Sequence, residues 1–490
     1  MHALKSLQPF TEPASPPLML PSNRQDRISY YDQLANHRDT YRKRNRYYHR
    51  DIEKAYRYII PEGSSVLEIG CGTGDLLAAM KPGRGLGIDF SAQMLDVARA
   101  KYPHLEFCQM DAEALSIEET FDYVIISGLM GDLDDIQNFF QRIRRVTRPD
   151  TRIVIDYYNQ LWEPALKAAE RIGLKMPLHQ QNWLALDDIE NLLYISGFEV
   201  VRKTYRMLMP KRIPLLAPLC NRFLAKLPGV RKLCLFTQLV AKRGDVRHDP
   251  QKLTCSVVIP CRNEAGTIED AVNRVPKMGH HTEIVFVEGN STDHTYAEIE
   301  RIIALYPEKD IKLVRQEGKG KGDAVRKGFV TATGDILMIL DGDLTVPPED
   351  LPKFFNALVL GKGEFINGTR LVYPMEQQAM RFLNLLGNKF FSMAFTWLLD
   401  QRMRDTLCGT KVLFKRDYEK IAAGRAFFGD FDPFGDFDLL FGAAKQHMKI
   451  CEVPIRYRQR VYGDTNISRF THGLLLFRMC WVALRKLKFN

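Results

Sequence analysis

Two segments of this sequence show the same local pattern, a short apolar strand that ends in a turn and leads into a helix. The first begins at Ser64 (SSVLEIGCGTGDLLAAM) and the second at Cys255 (CSVVIPCRNEAGTIEDAV). After each of them, apolar runs alternate with helix-length segments, which is typical of a mostly parallel sheet with helices on both faces. Because 490 residues exceed what one hydrophobic core supports, the sequence predicts two consecutive α/β domains.

The predicted boundary between the domains is residues 241–252 (AKRGDVRHDPQK), a polar stretch that contains Gly and Pro and has no apolar periodicity. The first domain is therefore expected at residues 28–240 and the second at residues 253–490. Residues 1–27 contain several prolines where a signal peptide needs an unbroken apolar stretch, so they are interpreted as a flexible tail.

The cysteines and the apolar runs indicate a cytoplasmic protein. Nine cysteines occur without a Cys-x-x-Cys pair or regular spacing, which favours reduced thiols and argues against zinc. The longest uncharged apolar run, Phe390–Leu399, is far shorter than the roughly 18–20 residues that span a bilayer. Contact with the inner face of a membrane would then be peripheral.

Positive charge is concentrated in two regions of the chain, which has a net charge of +10. Residues 201–243 contain eleven Lys/Arg and no acid, and residues 441–490 contain ten Lys/Arg and two acids. Such patches indicate an anionic partner, although a solvated basic surface is the alternative. No nucleic-acid-binding motif is present, so a membrane surface or a phosphorylated substrate is preferred to a nucleic acid.

The first turn has the composition of a nucleotide-like binding site. Three glycines follow its strand and allow a tight turn beside a ligand at a helix N-terminus: Gly70, Gly72 and Gly74. Glu68 precedes them. Asp89 ends the next strand, at roughly the 20-residue offset where an acid binds ribose hydroxyls. Asp111 ends the third strand.

Together these residues resemble class I S-adenosylmethionine-dependent methyltransferases, whose first motif is an acidic residue followed by Gly-Cys-Gly-Thr-Gly. The resemblance implies a Rossmann-like fold that binds S-adenosylmethionine, with Glu68 in the motif and the three glycines along the methionine part. It also implies that Asp89 binds the ribose and that Asp111 and Ala112 border the adenine. Ser127, with the neighbouring Gly128, would approach the sulfonium.

The methyl acceptor is harder to predict, because alignment of donor and acceptor can supply much of the rate without a dedicated catalytic side chain. Four residues are candidates for the acceptor pocket, and ordinary packing is the alternative for each of them: Tyr157, Tyr158, His179 and Trp183.

The second domain opens with SVVIPCRNE and continues with VFVEGNSTDHT. These segments resemble glycosyltransferase family 2, which implies a GT-A type fold and a nucleotide-sugar donor. The resemblance places Pro260, Asn263 and Glu264 beside the nucleotide base. Asp293 matches the family, whereas Glu288 replaces an aspartate, so the base, uracil or guanine, stays open.

Two further segments indicate a diphosphate and a metal. The basic glycine-rich turn LVRQEGKGKGDAVRKGF can bring Lys319 or Lys321 near a diphosphate. A buried strand then ends in Asp341-Gly342-Asp343. Because paired carboxylates bind Mg²⁺ or Mn²⁺ and can bridge the metal to a sugar-nucleotide diphosphate, Asp341 and Asp343 are the predicted metal ligands.

More narrowly, the second domain resembles polyprenyl-phosphate glycosyltransferases, including dolichyl-phosphate mannose and glucose synthases. The resemblance rests on Asp341 to Asp350, on Gly368-Thr369-Arg370 and on the run Asp405 to Lys411. It implies that Arg370 and Arg381 contact phosphates. Thr345 stands where the mannose synthases have glutamine, so the metal preference is open.

The C-terminal segment is a candidate for lipid contact. Four apolar residues fall on one helical face: Leu474, Phe477, Trp481 and Leu484. Four basic residues are available to anionic headgroups: Arg478, Arg485, Lys486 and Lys488. Packing of this helix on the domain or on a second subunit is the alternative.

The sequence thus predicts a bifunctional enzyme that transfers methyl groups from S-adenosylmethionine and, with inversion, sugar from a UDP- or GDP-linked donor. Polyprenyl phosphate is the preferred sugar acceptor. The alternative is a soluble hydroxyl acceptor, with one half serving as a non-catalytic binding module. Because a hydroxyl needs a general base and a phosphate oxyanion does not, Asp436 and Asp438 are candidate bases for that case.

Overall fold

The computed structural model describes residues 24–177, 182–370, 372, 382–429, 432, 435–460, 462 and 469–489. It contains two seven-stranded sheets that follow one another along the chain. The predicted α/β class and the order of the two domains are confirmed.

The first sheet has the strand order β3-β2-β1-β4-β5-β7-β6. Strands β1 to β5 are parallel, and β7 runs antiparallel to both β5 and β6. The first five strands follow the Rossmann order, in which ligands bind beyond the carboxyl ends of the strands. The strands are β1 (Ser65–Ile69), β2 (Arg84–Asp89), β3 (Glu106–Gln109), β4 (Phe121–Ser127), β5 (Thr147–Tyr158), β6 (Phe198–Arg206) and β7 (Phe236–Arg243).

Helices cover both faces of this sheet because its strands are apolar on both sides. In β1, Val66 belongs to one buried cluster and its neighbours Leu67 and Ile69 belong to another, as the alternation of side chains along a strand requires. The helices are α1 (Arg24–Arg44), α2 (Arg46–Ile59), α3 (Asp75–Ala79), α4 (Ala92–Lys101), α5 (Ile136–Ile143), α6 (Glu163–Arg171), α7 (Leu186–Ile195) and α8 (Leu216–Arg222).

The second sheet has the order β10-β9-β8-β11-β13-β12-β14, and β13 is antiparallel to its neighbours β11 and β12. Strands β8 to β11 are parallel, so their carboxyl ends meet at one edge. The strands are β8 (Thr254–Cys261), β9 (His281–Glu288), β10 (Ile311–Arg315), β11 (Ile336–Ile339), β12 (Phe365–Thr369), β13 (Lys411–Phe414) and β14 (Ile450–Pro454).

Two buried clusters lie on the two faces of this sheet as well, with Val258 in one and its neighbours Val257 and Ile259 in the other. The helices are α9 (Ile268–Arg274), α10 (Thr295–Leu305), α11 (Lys321–Thr331), α12 (Leu351–Val359), α13 (Phe382–Leu399), α14 (Lys415–Ala423), α15 (Asp436–Lys445) and α16 (Arg469–Ala483). A π-helical turn, Leu484–Lys488, follows α16.

The structure places some element ends differently from the sequence-based boundaries. Helix α1 begins at Arg24, inside the segment interpreted as a flexible tail. Strand β7 continues to Arg243, past the end predicted for the first domain at residue 240. It continues because its register with β6 extends that far, and the N–H of Gly244 then donates to the Gly197 carbonyl at 2.9 Å.

Buried polar contacts join the two domains. Arg152 of β5 donates two hydrogen bonds to the Glu364 carboxylate, at 2.9 and 3.1 Å, and a third to the His447 carbonyl at 3.0 Å. On the edge strand β6, Glu199 accepts a hydrogen bond of 2.7 Å from Lys449. These charge-assisted contacts hold strands β5 and β6 of the first sheet against the second domain.

Helix α16 presents much of its predicted apolar face to solvent. Three residues of that face are largely exposed: Leu474, Phe477 and Trp481. The opposite side is buried through Leu476 and Met479. Lys488, predicted to be available to headgroups, is instead buried and pairs with Asp400. Within the described residues, no helix combines the length and apolar character needed to span a bilayer.

Candidate active sites

The glycine turn after β1 lies at the carboxyl end of the first sheet, as predicted. Gly70, Gly72 and Gly74 have φ values of 74°, 53° and 72°, a region that glycine adopts without steric cost. A Cβ atom at Gly74 would lie 2.7 Å from the Phe107 ring. The turn therefore requires glycine both for its backbone conformation and for its packing.

Two predicted carboxylates of this site bind backbone N–H groups. Glu68 accepts from the N–H of Leu77 in α3 at 2.9 Å, and burial raises the pKa of Glu68 to about 8. Asp89 accepts from the N–H groups of Gly72 and Ser91, at 2.8 and 2.9 Å, and burial raises its pKa as well. Each carboxylate oxygen can accept a second hydrogen bond, so these contacts leave Asp89 able to bind a ribose. Ribose binding by Asp89 stays a prediction.

The remaining predicted cofactor residues lie after β3 and at the end of β4, on the same side of the sheet. Asp111 accepts from the N–H of Glu113 at 2.9 Å and forms an ion pair with Arg24. Ala112 is buried beside it, and the Ser127 hydroxyl hydrogen-bonds the buried Asp156 carboxylate. The structure thus brings these residues to the edge where the glycine turn lies, and their contacts with a cofactor stay predictions.

Helix α1 crosses this edge and supplies residues that the sequence did not predict. A Cβ atom at Gly72 would lie 2.7 Å from Cζ of Arg38, so the guanidinium lies directly against the turn. Asp32 accepts a hydrogen bond of 2.5 Å from the Ser91 hydroxyl. The basic run TYRKRNRYYHR, which begins near the end of this helix, was the nearest signal. It contains neither Arg38 nor Asp32, and charge runs are more often solvated surface.

The candidate residues for the methyl acceptor are only partly described. Burial raises the pKa of Tyr158 to about 12, and its hydroxyl accepts a hydrogen bond of 3.0 Å from Tyr48 of α2. Tyr157 is buried and Trp183 is half-buried. His179 lies outside the described residues. Their role as acceptor residues stays a prediction.

In the second domain, the turn after β8 is bonded to the turn after β9. The Asn263 side-chain oxygen accepts from the N–H of Thr292 at 2.8 Å, and the backbone N–H of Asn263 donates to the Ser291 hydroxyl at 3.0 Å. The Thr267 hydroxyl donates to the Gly342 carbonyl at 2.7 Å, which connects this turn to the Asp341–Asp343 turn. The segments predicted to surround the nucleotide, from Pro260 onward, therefore lie together.

Glu288 and Asp293 both satisfy backbone groups of the turn after β9. Glu288 is buried and accepts from the N–H of Ser291 at 2.5 Å. Asp293 accepts from the N–H and the hydroxyl of Thr295, at 3.0 and 2.5 Å, where α10 begins. These bonds stabilise the turn, and direct contact of either carboxylate with a nucleotide stays a prediction.

Asp341 and Asp343 follow β11 and face different partners. Asp341 forms a 2.5 Å ion pair with Lys321, the first residue of α11, and this cation lowers the pKa of Asp341 against the effect of burial. Asp343 accepts from the N–H and hydroxyl of Thr345, at 3.1 and 2.8 Å. Burial and the Asp341 charge raise the pKa of Asp343.

This pair suits a divalent cation. Its oxygen donors are those that Mg²⁺ and Mn²⁺ prefer, and a cation would relieve the repulsion that raises the pKa of Asp343. Within the part of the chain that the structure describes, no group of three or more His, Cys, Asp or Glu residues could hold a metal. Diphosphate oxygens and water would have to complete the coordination, as is usual for Mg²⁺.

Of the two candidate bases, only Asp436 interacts with the charged groups around Asp341. It begins α15, is buried, and forms a 3.3 Å ion pair with the fully buried Lys411. Burial alone would lower the pKa of Lys321, but the negative charges of Asp341 and Asp436 outweigh burial and raise that pKa. Asp438 instead binds Arg425 at 2.7 Å, so the structure does not bring it to the pair of aspartates.

Arg370, a predicted phosphate ligand, is bound to an aspartate in the structure. Its Nε and one terminal nitrogen donate to the two oxygens of Asp405, at 2.7 and 2.9 Å. Its charge, after those of Lys321 and Lys411, lowers the pKa of Asp341, so the guanidinium acts on the Asp341–Asp343 turn. Contact of Arg370 with a phosphate stays a prediction, and Arg381 lies outside the described residues.

Two residues after β14 join this site without having been predicted. Arg460 forms an ion pair with Glu264, whose pKa burial raises to about 7 despite that cation. The Tyr462 hydroxyl donates to Asp293 at 3.4 Å. The arginine-rich run RYRQRVYGD was the available signal, but it is almost 200 residues from Glu264 along the chain.

Comparison with known proteins agrees with the two predicted families. Residues 66–150 match the family model described as methyltransferase domain, and residues 256–421 match that of glycosyl transferase family 2. The first match contains the glycine turn and the second contains the Asp341–Asp343 turn. The family predictions for both domains are therefore confirmed.

One similar sequence is a dolichol-phosphate mannosyltransferase from Pyrococcus furiosus, 30% identical over 218 residues. These residues are 44% of this chain and 59% of that protein, so the chain spans about three-fifths of the length of this relative.

Two solved structures are also similar. A SAM-dependent methyltransferase from Thermotoga maritima is 17% identical with a TM-score of 0.36, and the match covers 44% of this chain and 98% of that one. Glucosyl-3-phosphoglycerate synthase from Mycobacterium tuberculosis is 19% identical with a TM-score of 0.37, and the match covers 48% of this chain and 79% of that one.

Proposed function

We propose that this chain, which joins a methyltransferase domain to a glycosyltransferase family 2 domain and is a transferase, has two separate activities. The first domain transfers a methyl group from S-adenosylmethionine. The second transfers a sugar, with inversion, from a UDP- or GDP-linked donor to a polyprenyl phosphate, and it uses Mg²⁺ or Mn²⁺. The enzyme would work in the cytoplasm or at the inner face of a membrane.

The observation that most supports sugar transfer is the arrangement of Asp341, Asp343 and Lys321. Two carboxylates lie at the carboxyl end of a buried strand, and one of them binds a lysine at 2.5 Å. A divalent cation on the pair would neutralise charge on a diphosphate leaving group. Lys321 would then be released from Asp341 to bind a phosphate oxygen, which the half-buried position of its side chain allows.

The contacts of Asp436 favour a phosphate acceptor over a hydroxyl. A hydroxyl acceptor must lose its proton to a base, whereas a phosphate already has a nucleophilic oxyanion. Asp436 is buried, and Lys411 engages its carboxylate at 3.3 Å, which favours a structural role for this residue over that of a base. The similar protein named dolichol-phosphate mannosyltransferase supports the same acceptor class.

The surface of the molecule is consistent with an acceptor in a membrane. The exposed Phe477 and Trp481 of α16 have Arg478 and Arg485 beside them. Exposed leucines also alternate with basic residues in the first domain, for example Leu219 and Leu224 beside Arg222. An amphipathic basic surface of this kind binds anionic lipid headgroups.

In the first domain, the residues act by positioning. The glycine turn allows the backbone to approach the cofactor. Asp89 fixes that turn through the N–H of Gly72, and Glu68 holds the following helix α3 through the N–H of Leu77. When bound, S-adenosylmethionine supplies the electrophilic methyl group. Alignment of an acceptor with that group can provide much of the rate, and α1 with Arg38 closes over the same edge and would exclude water.

The alternative is a soluble hydroxyl acceptor, with one half serving as a binding module. The observation that favours it is that Asp436 acts on Lys321 together with Asp341, so a further carboxylate lies beside the proposed donor site. Under this alternative, removing the carboxylate would remove the base.

A transfer assay with Asp436→Asn separates the two acceptors. Offered UDP- and GDP-sugars with a short-chain polyprenyl phosphate, the wild type should form a lipid-linked sugar phosphate, and the variant should keep activity within about tenfold, since no base is needed. The matched control, Asp438→Asn, removes the other candidate base. The proposal would be contradicted if the wild type formed product only with soluble hydroxyl acceptors and Asp436→Asn reduced that rate by roughly 10²-fold or more.

A further inference from the structure

A small cavity lies between the two domains, and none of its lining residues belongs to either candidate active site. The first domain contributes α2, β6, β7 and the turn Leu224–Lys226, and the second contributes Asp400 and the π-helical turn. The cavity encloses about 30 Å³, in a measure by which one water molecule needs roughly 10–15 Å³. It has room for a group of the size of a phosphate but not for a nucleotide.

Positive charge dominates the lining of this cavity. Its cationic side chains are Arg202, Arg206, Lys226, Arg231 and Lys488, and its one carboxylate is Asp400. Asp51, which lies outside the lining, binds Arg206 through two hydrogen bonds of 3.0 Å.

The other cations are poorly neutralised. Asp400 is near Lys488, Arg202 and Arg231, the last two at 3.5 and 3.8 Å. Three buried or half-buried cations therefore share one carboxylate, and Lys226 is not among them.

Lys226 is the most unusual of these residues. It is only 8% exposed, and within the described part of the chain no hydrogen bond or ion pair forms at its ammonium group. Burial, with repulsion from Arg206 and Lys488, lowers its pKa to about 7. Because Lys226 lines the cavity, an anion bound there would offset its charge and favour its protonated form.

A further donor at the cavity has no acceptor. The side-chain nitrogen of Gln238, which is 3% exposed, forms no hydrogen bond in the described structure, and Nε of Arg202 has its 3.5 Å ion pair with Asp400. Leaving such a group unpaired costs about 1–3 kcal/mol. Water could accept this hydrogen bond, but it would not offset the charge, whereas a phosphate would do both.

The cavity adjoins a wider groove, since Tyr205, Arg231 and Asp400 line both. Apolar residues of the groove include Pro228, Met393 and Trp397. Its other cations are Lys203, Arg402 and Arg404. A phosphate in the cavity could therefore carry an apolar substituent that lies in the groove.

We infer that this interdomain cavity is a binding site for a phosphate group, either free or as the headgroup of a phospholipid. Lys226 and Arg202 of the first domain and Lys488 of the second converge on it, so the bound phosphate bridges the domains. The site is independent of the proposed sugar and methyl transfer, because it uses none of their residues.

The first test is thermal unfolding of the full-length protein in inorganic phosphate and in chloride at equal ionic strength. Phosphate should raise the Tm of the wild type, because a ligand of the native state stabilises it. Lys226→Gln should lose this rise, with at least about a tenfold loss in phosphate affinity. The control, Lys232→Gln, changes the same charge at an exposed position nearby and should keep the rise.

The Tm values in chloride distinguish a binding role from a structural one. Because Lys226 has no partner, Lys226→Gln should unfold in chloride at the same temperature as the wild type or higher. A lower Tm would show that the ammonium is already satisfied within the protein and would overturn the inference. So would an absent phosphate effect in the wild type, or an equal effect in Lys226→Gln.

Flotation with phosphatidylcholine vesicles, with and without phosphatidic acid, identifies the source of the phosphate. A lipid headgroup predicts that Lys226→Gln binds the phosphatidic acid vesicles less than Lys232→Gln does. A soluble phosphate is supported instead if the two variants float equally and only Lys226→Gln loses the rise in Tm that phosphate produces.

Discussion

The turn after β1 and the turn after β11 follow similar buried strands, but the first depends on backbone conformation and the second on charged side chains. The first consists of backbone, with three glycines at positive φ and carboxylates that accept N–H groups. The second consists of charges, with Asp341 paired to Lys321 and raising the pKa of Asp343. The first arrangement suits a ligand recognised by close approach, and the second suits a diphosphate with a metal. Substitutions in the glycine turn itself should therefore act sterically, whereas substitutions of Asp341 and Asp343 should act electrostatically.

The largest effect is expected for Asp343→Asn. Loss of one carboxylate of the metal pair should reduce sugar transfer by roughly 10²–10³-fold and leave methyl transfer unchanged. Asp310→Asn, distant from the pair, should have wild-type rates of both reactions. Sugar transfer by Asp343→Asn at the wild-type rate in saturating Mn²⁺ would contradict the metal role.

The pKa of Glu68 predicts a change of stability with pH. Because burial raises this pKa from 4.5 to about 8, the stability that Glu68 contributes is complete below pH 4.5 and is lost as the pH rises through 8. Glu68→Gln cannot ionise and can still accept from the N–H of Leu77. It should be more stable than the wild type at pH 8 by roughly 2–4 kcal/mol.

Urea unfolding at pH 8 and pH 5 measures this difference, which should shrink at the lower pH. The exposed Glu62→Gln provides the control, with little change at either pH. A Glu68→Gln variant that is less stable than the wild type at pH 8 would show that the carboxylate is needed in its ionised form.

Gly74→Ala tests whether the first turn depends on its backbone. The new Cβ would lie 2.7 Å from Phe107 at a φ of 72°, which should cost about 1–3 kcal/mol of stability and weaken S-adenosylmethionine binding. Gly63→Ala has a similar φ of 84° but open space around the Cβ, so it isolates the backbone strain. Calorimetric binding that is unchanged in Gly74→Ala would argue against the site.

The smallest effect is expected for Arg38→Gln. Its guanidinium lies against Gly72, in the turn predicted to line the methionine part of the cofactor. A cation there would favour a bound carboxylate, so the variant should bind S-adenosylmethionine about tenfold more weakly. Arg46→Gln, an exposed neighbour on α2, should bind normally. An affinity of Arg38→Gln equal to that of the control would remove α1 from the site.

The features predicted correctly from the sequence are those that depend on neighbouring residues. The strands and turns around Gly70 and Asp341 follow from apolar runs that end in glycine or aspartate. The contacts of Arg38 with Gly72 and of Arg460 with Glu264 arise from packing of distant segments, which one sequence does not encode locally. Lys488 illustrates the same limit, since it belongs to a basic amphipathic pattern but is buried against Asp400.

The central claim, two separate activities in one chain, is tested most directly by measuring both in one reaction. The full-length protein would receive S-adenosylmethionine with a labelled methyl group, a labelled nucleotide sugar, Mn²⁺ and short-chain polyprenyl phosphate, and products would be resolved by mass spectrometry. We predict that Asp343→Asn loses only the sugar product and Gly74→Ala loses only the methylated product. Loss of both products in either variant, with the fold intact, would contradict two independent sites.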